Sequence, residues 1–303
     1  MLSRSFNIKK LIRIDAFCFS TATIQNEIDG HKAKIMARGL PKKKPIEGVK
    51  DIILVSSGKG GVGKSTTSVN LALALKHIDP SKHIGLLDSD IFGPSIPLMM
   101  NLNDFPQIDV NKMMEPLRNY GIKCMSMGFL IEPGAPVIWR GLMVMQALQK
   151  LMREVNWGEI DYLIVDTPPG TGDTLLSLIQ NLPITGAILV TTPQVAALQV
   201  TRRGATMFEK LSIPVIGILE NMSSISCPNC STEIPLFGAG TQKLAKEINC
   251  RILEQIPLEY SISVQNDKGI PIVVSEPENP ITFSYRSLAK KVVEFVENKA
   301  NKI

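Results

Sequence analysis

From residue 51 onward the chain alternates short apolar runs with longer helical or mixed stretches. Ile52-Ile53-Leu54-Val55, Ile84-Gly85-Leu86-Leu87 and Tyr162-Leu163-Ile164-Val165 carry no charged residue, as strands buried on both faces do. Residues 121–127, 187–191, 214–219, 251–256 and 271–274 supply further strands. Residues 141–155 and 283–299 read as helices. The alternation predicts an α/β fold, a single domain over 51–300 with a mostly parallel sheet covered by helices on both faces. The methionines of 141–155 are read as packing, and so is Cys124 within 121–127. The last helix places Leu288, Val292, Phe295 and Val296 on one face. Capping its own sheet is the favoured use of that face, and a membrane-surface helix the alternative. No internal repeat occurs, and no apolar run approaches the roughly 18 residues of a transmembrane helix.

The first strand-to-helix junction carries the strongest chemical signal. Residues 56–67 read S-S-G-K-G-G-V-G-K-S-T-T, between the first apolar run and Val69-Asn70-Leu71-Ala72-Leu73. Gly58, Gly60, Gly61 and Gly63 let the backbone curl so that successive N–H groups face phosphate oxygens. The helix that starts near Lys64 adds its positive dipole end. Gly58 to Ser65 complete the G-x-x-x-x-G-K-S phosphate-binding pattern, so residues 58–66, with Val62 and Thr66, are the candidate nucleotide contacts. Lys64 reaches the β- and γ-phosphates and the Ser65 hydroxyl holds Mg²⁺. Lys59 is a second lysine that a generic phosphate loop does not require.

Other candidates sit where strands end, the edge at which open α/β sheets bind ligands. Asp166 closes the strand over 162–165 and opens Thr167-Pro168-Pro169-Gly170. Its natural task is to hold Mg²⁺ while Gly170 lets the loop respond to the γ-phosphate. Asp88 and Asp90 follow the strand over 84–87, and Asn221 follows that over 214–219. Each could also be a turn or capping residue.

Charge changes the picture at one end only. Residues 1–50 hold eleven Lys/Arg against four Asp/Glu, a net +7, while the rest holds 22 against 24. The body is therefore not basic, and nucleic acid is not an expected partner. Residues 1–22 have Arg4, Lys9, Lys10 and Arg13, one acid, and interleaved apolar residues, the signature of a mitochondrial presequence. Residues 23–50, with Gly39, Pro41 and three consecutive lysines, read as a linker. Five scattered cysteines do not make a secreted disulfide framework, so a reducing compartment is expected.

Cys227-Pro228-Asn229-Cys230 brings two thiolates to one side of a tight turn, suited to a metal or a cluster iron. No second C-x-x-C exists, and His31, His77 and His83 lie far off in sequence. A four-ligand site therefore needs two copies of the chain, joined by a symmetric dimer. A bridging [4Fe–4S] cluster, a structural zinc at the seam and a redox dithiol are the three readings.

The motifs at 59–66, 88–95 (D-S-D-I-F-G-P-S), 139–141 (W-R-G), 166–173 (D-T-P-P-G-T-G-D) and 227–230 occur in the order found in the Mrp/NBP family of iron–sulfur P-loop ATPases. The chain resembles that family over residues 38–290, and most of all its mitochondrial, nucleotide-binding protein-like branch. The resemblance implies a MinD/ParA-like fold and a homodimer binding ATP and Mg²⁺, with slow ATP hydrolysis. It implies Lys59 reaching the partner's nucleotide, Asp90 on the attacking water, Asp88 near the metal and Asn221 on the adenine edge. It also implies delivery of a [4Fe–4S] cluster held by Cys227 and Cys230 to apoproteins of the mitochondrial matrix, complex I subunits among them. The alternatives are a nucleotide-switched positioning ATPase and a zinc-stapled dimeric switch.

Overall fold

The run 52–55 forms the centre of β1 (Val49–Ser57), whose last six residues are all buried. Successive side chains of a strand point to opposite faces, so burial of every one means both faces are covered. The computed structural model describes residues 43–131, 141–227, 229–230 and 232–301. The expected presequence with Cys18, the linker up to residue 42, Trp139 and Arg140 of the W-R-G motif, and Pro228 lie outside the described residues.

Parallel to β1 run β2 (Ile84–Asp88), β4 (Ile122–Ser126), β5 (Ile160–Asp166), β6 (Gly186–Thr191), β7 (Val215–Asn221) and β10 (Ile252–Ile256). With β3 (Leu117–Asn119) they make one sheet in the order β10-β7-β6-β1-β5-β2-β4-β3. β3 alone is antiparallel, paired to β4 by a two-residue turn with Tyr120 at φ 48° and Gly121 at φ 78°. Two successive left-handed residues are the hairpin turn that matches strand twist. β1 starts two residues ahead of position 51, and Ile46, within the expected linker, is buried.

Helix α1 (Lys64–Ile78) lies between the sheet and the last helix α9 (Pro280–Ala300), and residues 67–75 are buried all round. Helix α9 opens at Asn279, whose side chain accepts from Ile281 N–H at 2.9 Å, with Pro280 in its first turn. Its Ile281, Tyr285, Leu288, Ala289, Val292 and Val296 are buried on the domain, so capping consumes the apolar face that a membrane helix would need. No described helix is long and apolar enough to cross a membrane.

The other helices are α2 (Ile96–Met99), α3 (Gly141–Arg153), α4 (Asp173–Asn181), α5 (Val195–Lys210), α6 (Gly240–Glu247), α7 (Tyr260–Asp267) and α8 (Ile272–Ser275). In α3 the buried residues Val144, Ala147, Leu148, Leu151 and Met152 follow helical spacing, and packing accounts for them. One expectation fails. Residues 271–274 are not a strand; they lead into the one-turn helix α8. The Val273 N–H donates to Asn70 Oδ1 of α1 at 3.3 Å and the Ser275 N–H to Pro271 O at 2.9 Å. Its backbone is therefore satisfied without a neighbouring strand.

Candidate functional site

Four strand ends and the loop over 58–63 converge at the carboxyl edge of the sheet. Parallel register sets Asp166 of β5 beside Val55 of β1 on one side and Asp88 of β2 on the other. The Asp166 carboxylate is fully buried and held three ways: by Lys64 Nζ at 2.7 Å, Ser65 Oγ at 2.6 Å and Ser68 Oγ at 2.7 Å. All three partners come from the first turns of α1, so loop, helix and strand end are tied at one point. Ser68 escaped the motif reading, although it lies one helical turn beyond Lys64, a spacing that puts both on one face.

The loop itself is locked by Asn221. Its Nδ2–H donates to Val62 O at 2.9 Å. Gly63 stands at φ 86°, and a Cβ there would lie 2.1 Å from Asn221 Nδ2. Only glycine meets both the left-handed backbone and that approach. On the other flank, Gly170 N–H donates to Ser57 O at 2.8 Å, stitching the turn after Asp166 to the end of β1.

Asp88 is buried and accepts three hydrogen bonds: from Asp90 N–H at 3.1 Å, Ile96 N–H at 3.3 Å and the Ser126 hydroxyl at 3.0 Å. Burial, with the Asp166 charge second, nevertheless pushes it up to about 7, against the pull of Lys64. Asp90 is half-buried in the turn that follows, and burial raises it too. A carboxyl raised in the fold binds protons that the unfolded chain releases, so its contribution to stability is lost as pH rises from about 4 through about 7. Relative to Asp88→Asn, the nucleotide-free wild type should therefore lose a few kcal/mol between pH 4 and pH 8. Urea unfolding followed by the fluorescence of buried Trp157 measures that difference. A flat difference curve would count against it.

Lys59 Nζ donates to Gln194 Oε1, just ahead of α5, at 2.9 Å. The second lysine is thus paired within its own chain. Nothing in the local sequence marks Gln194 as its partner across 135 positions.

Cys227 and Cys230 lie on the turn of a two-stranded hairpin, β8 (Ser224–Ser226) with β9 (Glu233–Pro235), just beyond β7. Cys227 N–H donates to Thr232 O at 3.0 Å and closes the turn. Cys230 is exposed, and its Sγ lies 3.2 Å from Thr232 Oγ1, within reach of a hydrogen bond from that hydroxyl to the thiolate. The Thr232 side chain, then its backbone, then Cys227 favour the thiolate and hold Cys230 below the ordinary thiol range. Burial instead raises Cys124, and Cys250 to about 11. Among the described residues, no group of three or more His, Cys, Asp or Glu side chains is placed to hold a metal ion. One chain thus presents two soft ligands at this turn, half of a tetrahedral set.

Comparison with known proteins agrees with this geometry. The family model for the ParA-type "NUBPL iron-transfer P-loop NTPase" matches residues 48–293. The mouse iron–sulfur cluster transfer protein NUBPL is 55% identical over 263 residues, 86% of this chain and 82% of the mouse protein. An Arabidopsis thaliana iron–sulfur protein required for NADH dehydrogenase, mitochondrial, is 46% identical over 309 residues, covering 100% and 94% of the two chains. Among solved structures, a nucleotide-binding protein from Archaeoglobus fulgidus in complex with ADP superimposes with a TM-score of 0.66 at 34% identity, covering 78% and 92% of the two chains. The septum site-determining protein MinD of Pyrococcus horikoshii with Mg-ADP, at 21% identity and TM-score 0.60 over 80% and 95% of the two chains, shares the fold. The chain belongs to the NUBPL iron-transfer family of ParA-type P-loop NTPases.

Proposed function

We propose that the chain is an ATP-dependent carrier of [4Fe–4S] clusters. It works as a homodimer, with the cluster bridged between the Cys227 and Cys230 pairs of the two subunits. The observation that carries this reading is an exposed turn with two cysteines, one biased toward thiolate, on a P-loop NTPase domain whose relatives are named for iron–sulfur cluster transfer. Two ligands per chain against four per cluster support the dimer. Half-exposed Ile225 and Ile234 on the same hairpin give the seam apolar area.

The residues at the sheet edge fit Mg·ATP. Ser65 and Asp166 offer a hydroxyl and a carboxylate oxygen 2.6 Å apart, the hard oxygen donors that Mg²⁺ prefers. Mg²⁺, when bound, supplies neutralisation of the triphosphate charge. The chain's own groups do the rest. Loop N–H groups of residues 58–66 cradle phosphates, Lys64 pairs with them, Asp90 orients the attacking water and Asp88 supports the loop that carries Asp90. The turn around Gly170 links phosphate state to domain shape, so hydrolysis gates cluster loading or release.

Residues 1–22, read as a mitochondrial presequence, and the Arabidopsis relative's name support a carrier of the mitochondrial matrix with NADH dehydrogenase subunits among its recipients. The test is anaerobic reconstitution with iron, sulfide and zinc quantified. About four iron and four sulfide per dimer are expected for the wild type, and none for Cys227→Ala or Cys230→Ala. Both variants should keep wild-type stability within about 0.5 kcal/mol, since these thiols lie outside the core. One zinc per dimer with no stable cluster, or full cluster binding in Cys227→Ala, would overturn the reading.

A further inference from the structure

Helix α5 carries a stripe that its own domain leaves unused. Arg203, Met207 and Lys210 recur at helical spacing, so the three lie on one face. Arg203 and Lys210 are exposed, and Met207 between them is half-buried against the core. This face borders a groove of about 430 Å³ shared with α4, whose Leu176 joins Met207 and Leu211 in an apolar lining. Among the described residues, neither Arg203 nor Lys210 enters a salt bridge. The neighbouring Arg202 differs, for its guanidinium is spent on Glu247 in two hydrogen bonds of 2.7 Å. One exposed cation means little on a protein surface. Two of them, seven residues apart and flanking an open apolar groove, call for a reason.

We propose that the groove between α4 and α5 is a docking surface for an acidic amphipathic helix of a partner protein. The form of the occupant follows from the walls. Both are helices whose inner backbone groups are bonded within themselves, so they offer no main-chain hydrogen bonds to an extended segment. The occupant must satisfy its own backbone, as a helix does, and pack through side chains alone. Its charge follows from the rim. Seven residues of α5 span about 10.5 Å, close to two turns, so carboxylates at i and i+7 of a helix lying along α5 meet Arg203 and Lys210 together. Apolar side chains at i+3 and i+4 then face Met207, whose unbranched thioether adapts to varied shapes. A basic segment would set like charges against each other beside the same apolar lining. The surface does not depend on what the chain carries, since neither the phosphate loop nor the cysteine turn lines it.

The test uses the full-length protein and two fluorescently labelled helical peptides of leucine, alanine and one charged residue, glutamate in the first and lysine in its twin. Anisotropy titration is expected to show the glutamate peptide binding about tenfold tighter than the lysine twin or better, with the difference shrinking as salt is added. Arg203→Glu combined with Lys210→Glu, both at exposed positions, should invert that order. Met207→Ala should weaken the glutamate peptide by about fivefold, as loss of a central anchor does. Urea unfolding of each variant checks that it is folded, and the charge reversals carry the test if Met207→Ala is not. Equal binding of the two peptides by the wild type would overturn the proposal. A glutamate preference that survives the double charge reversal, or full affinity in folded Met207→Ala, would overturn it as well. So would two results that give the groove another occupant. One is a homodimer, seen by sedimentation, that the double charge reversal dissociates. The other is binding to phosphatidylglycerol vesicles that the same reversal abolishes.

Discussion

Replacing Asp166 with alanine is expected to destabilise the nucleotide-free protein by about 3–5 kcal/mol and to abolish ATP turnover. The carboxylate has no exposure and Lys64 has 7%, so their 2.7 Å ion pair is shielded from water and salt. Truncating one member of such a pair strands the other charge in a low-dielectric place, and that stranding is the larger part of the loss. Two hydroxyls, of Ser65 and Ser68, lose their acceptor in the same step. Replacing both charges, as in Lys64→Met with Asp166→Leu, should cost less than the sum of the two single changes, because no charge is then left alone. Ser68→Ala, which removes one hydrogen bond of the three, should cost only about 1 kcal/mol. Urea unfolding supplies the stabilities and phosphate release the turnover. An Asp166→Ala protein within 1 kcal/mol of wild type would show that water reaches Lys64 in solution and that the pair is ordinary.

Much of this site was legible because its parts are local in sequence. An apolar run, a glycine loop and a helix start lie within residues 52–75, and each of Asp88, Asp166 and Asn221 directly ends a strand whose apolar core announces it. Register then does what no motif can, setting Asp88 and Asp166 side by side, so that the charge of Asp166 adds to the burial that raises Asp88. What escaped was set by contacts distant in sequence. Residues 271–274 look like a strand because Ile272, Val273 and Val274 are β-branched. Their actual state depends on Asn70, 203 positions earlier, accepting from Val273 N–H. Gln194 carries no local mark, for its role exists only once Lys59 is brought to it. β3 is the instructive miss. Asn119-Tyr120-Gly121 was a readable turn signal, yet the strand before it has three residues, too few for alternation to show. Likewise the cysteine turn reads as a loop because the strands that frame it have three residues each.

Replacing Lys59 with alanine is expected to leave ATP affinity nearly unchanged and to slow hydrolysis by about 10³-fold. In the proposed site Lys64 and the loop N–H groups bind the nucleotide within one chain, so Lys59 is not needed to hold it. In a single chain Lys59 is not poised for catalysis, because its ammonium is given to Gln194 Oε1 at 2.9 Å. A weak neutral hydrogen bond of this kind is readily exchanged for the triphosphate of a facing subunit, where a cation stabilises the charge that develops in phosphoryl transfer. In the proposed homodimer the catalytic lysine is supplied on dimerisation, the same event that assembles four thiols from two pairs. That proposed dimer couples cluster holding and ATP turnover through one seam. Mixing makes the distinction. Lys59→Ala subunits bind ATP without a finger, and Lys64→Ala subunits bind no ATP but carry Lys59 intact. The two inactive proteins combined should recover a measurable part of wild-type hydrolysis if the lysine acts across the seam. If the mixture stays as inactive as its parts while heterodimers form, Lys59 serves the nucleotide of its own chain, and Gln194 is a partner from which it never departs for a second subunit.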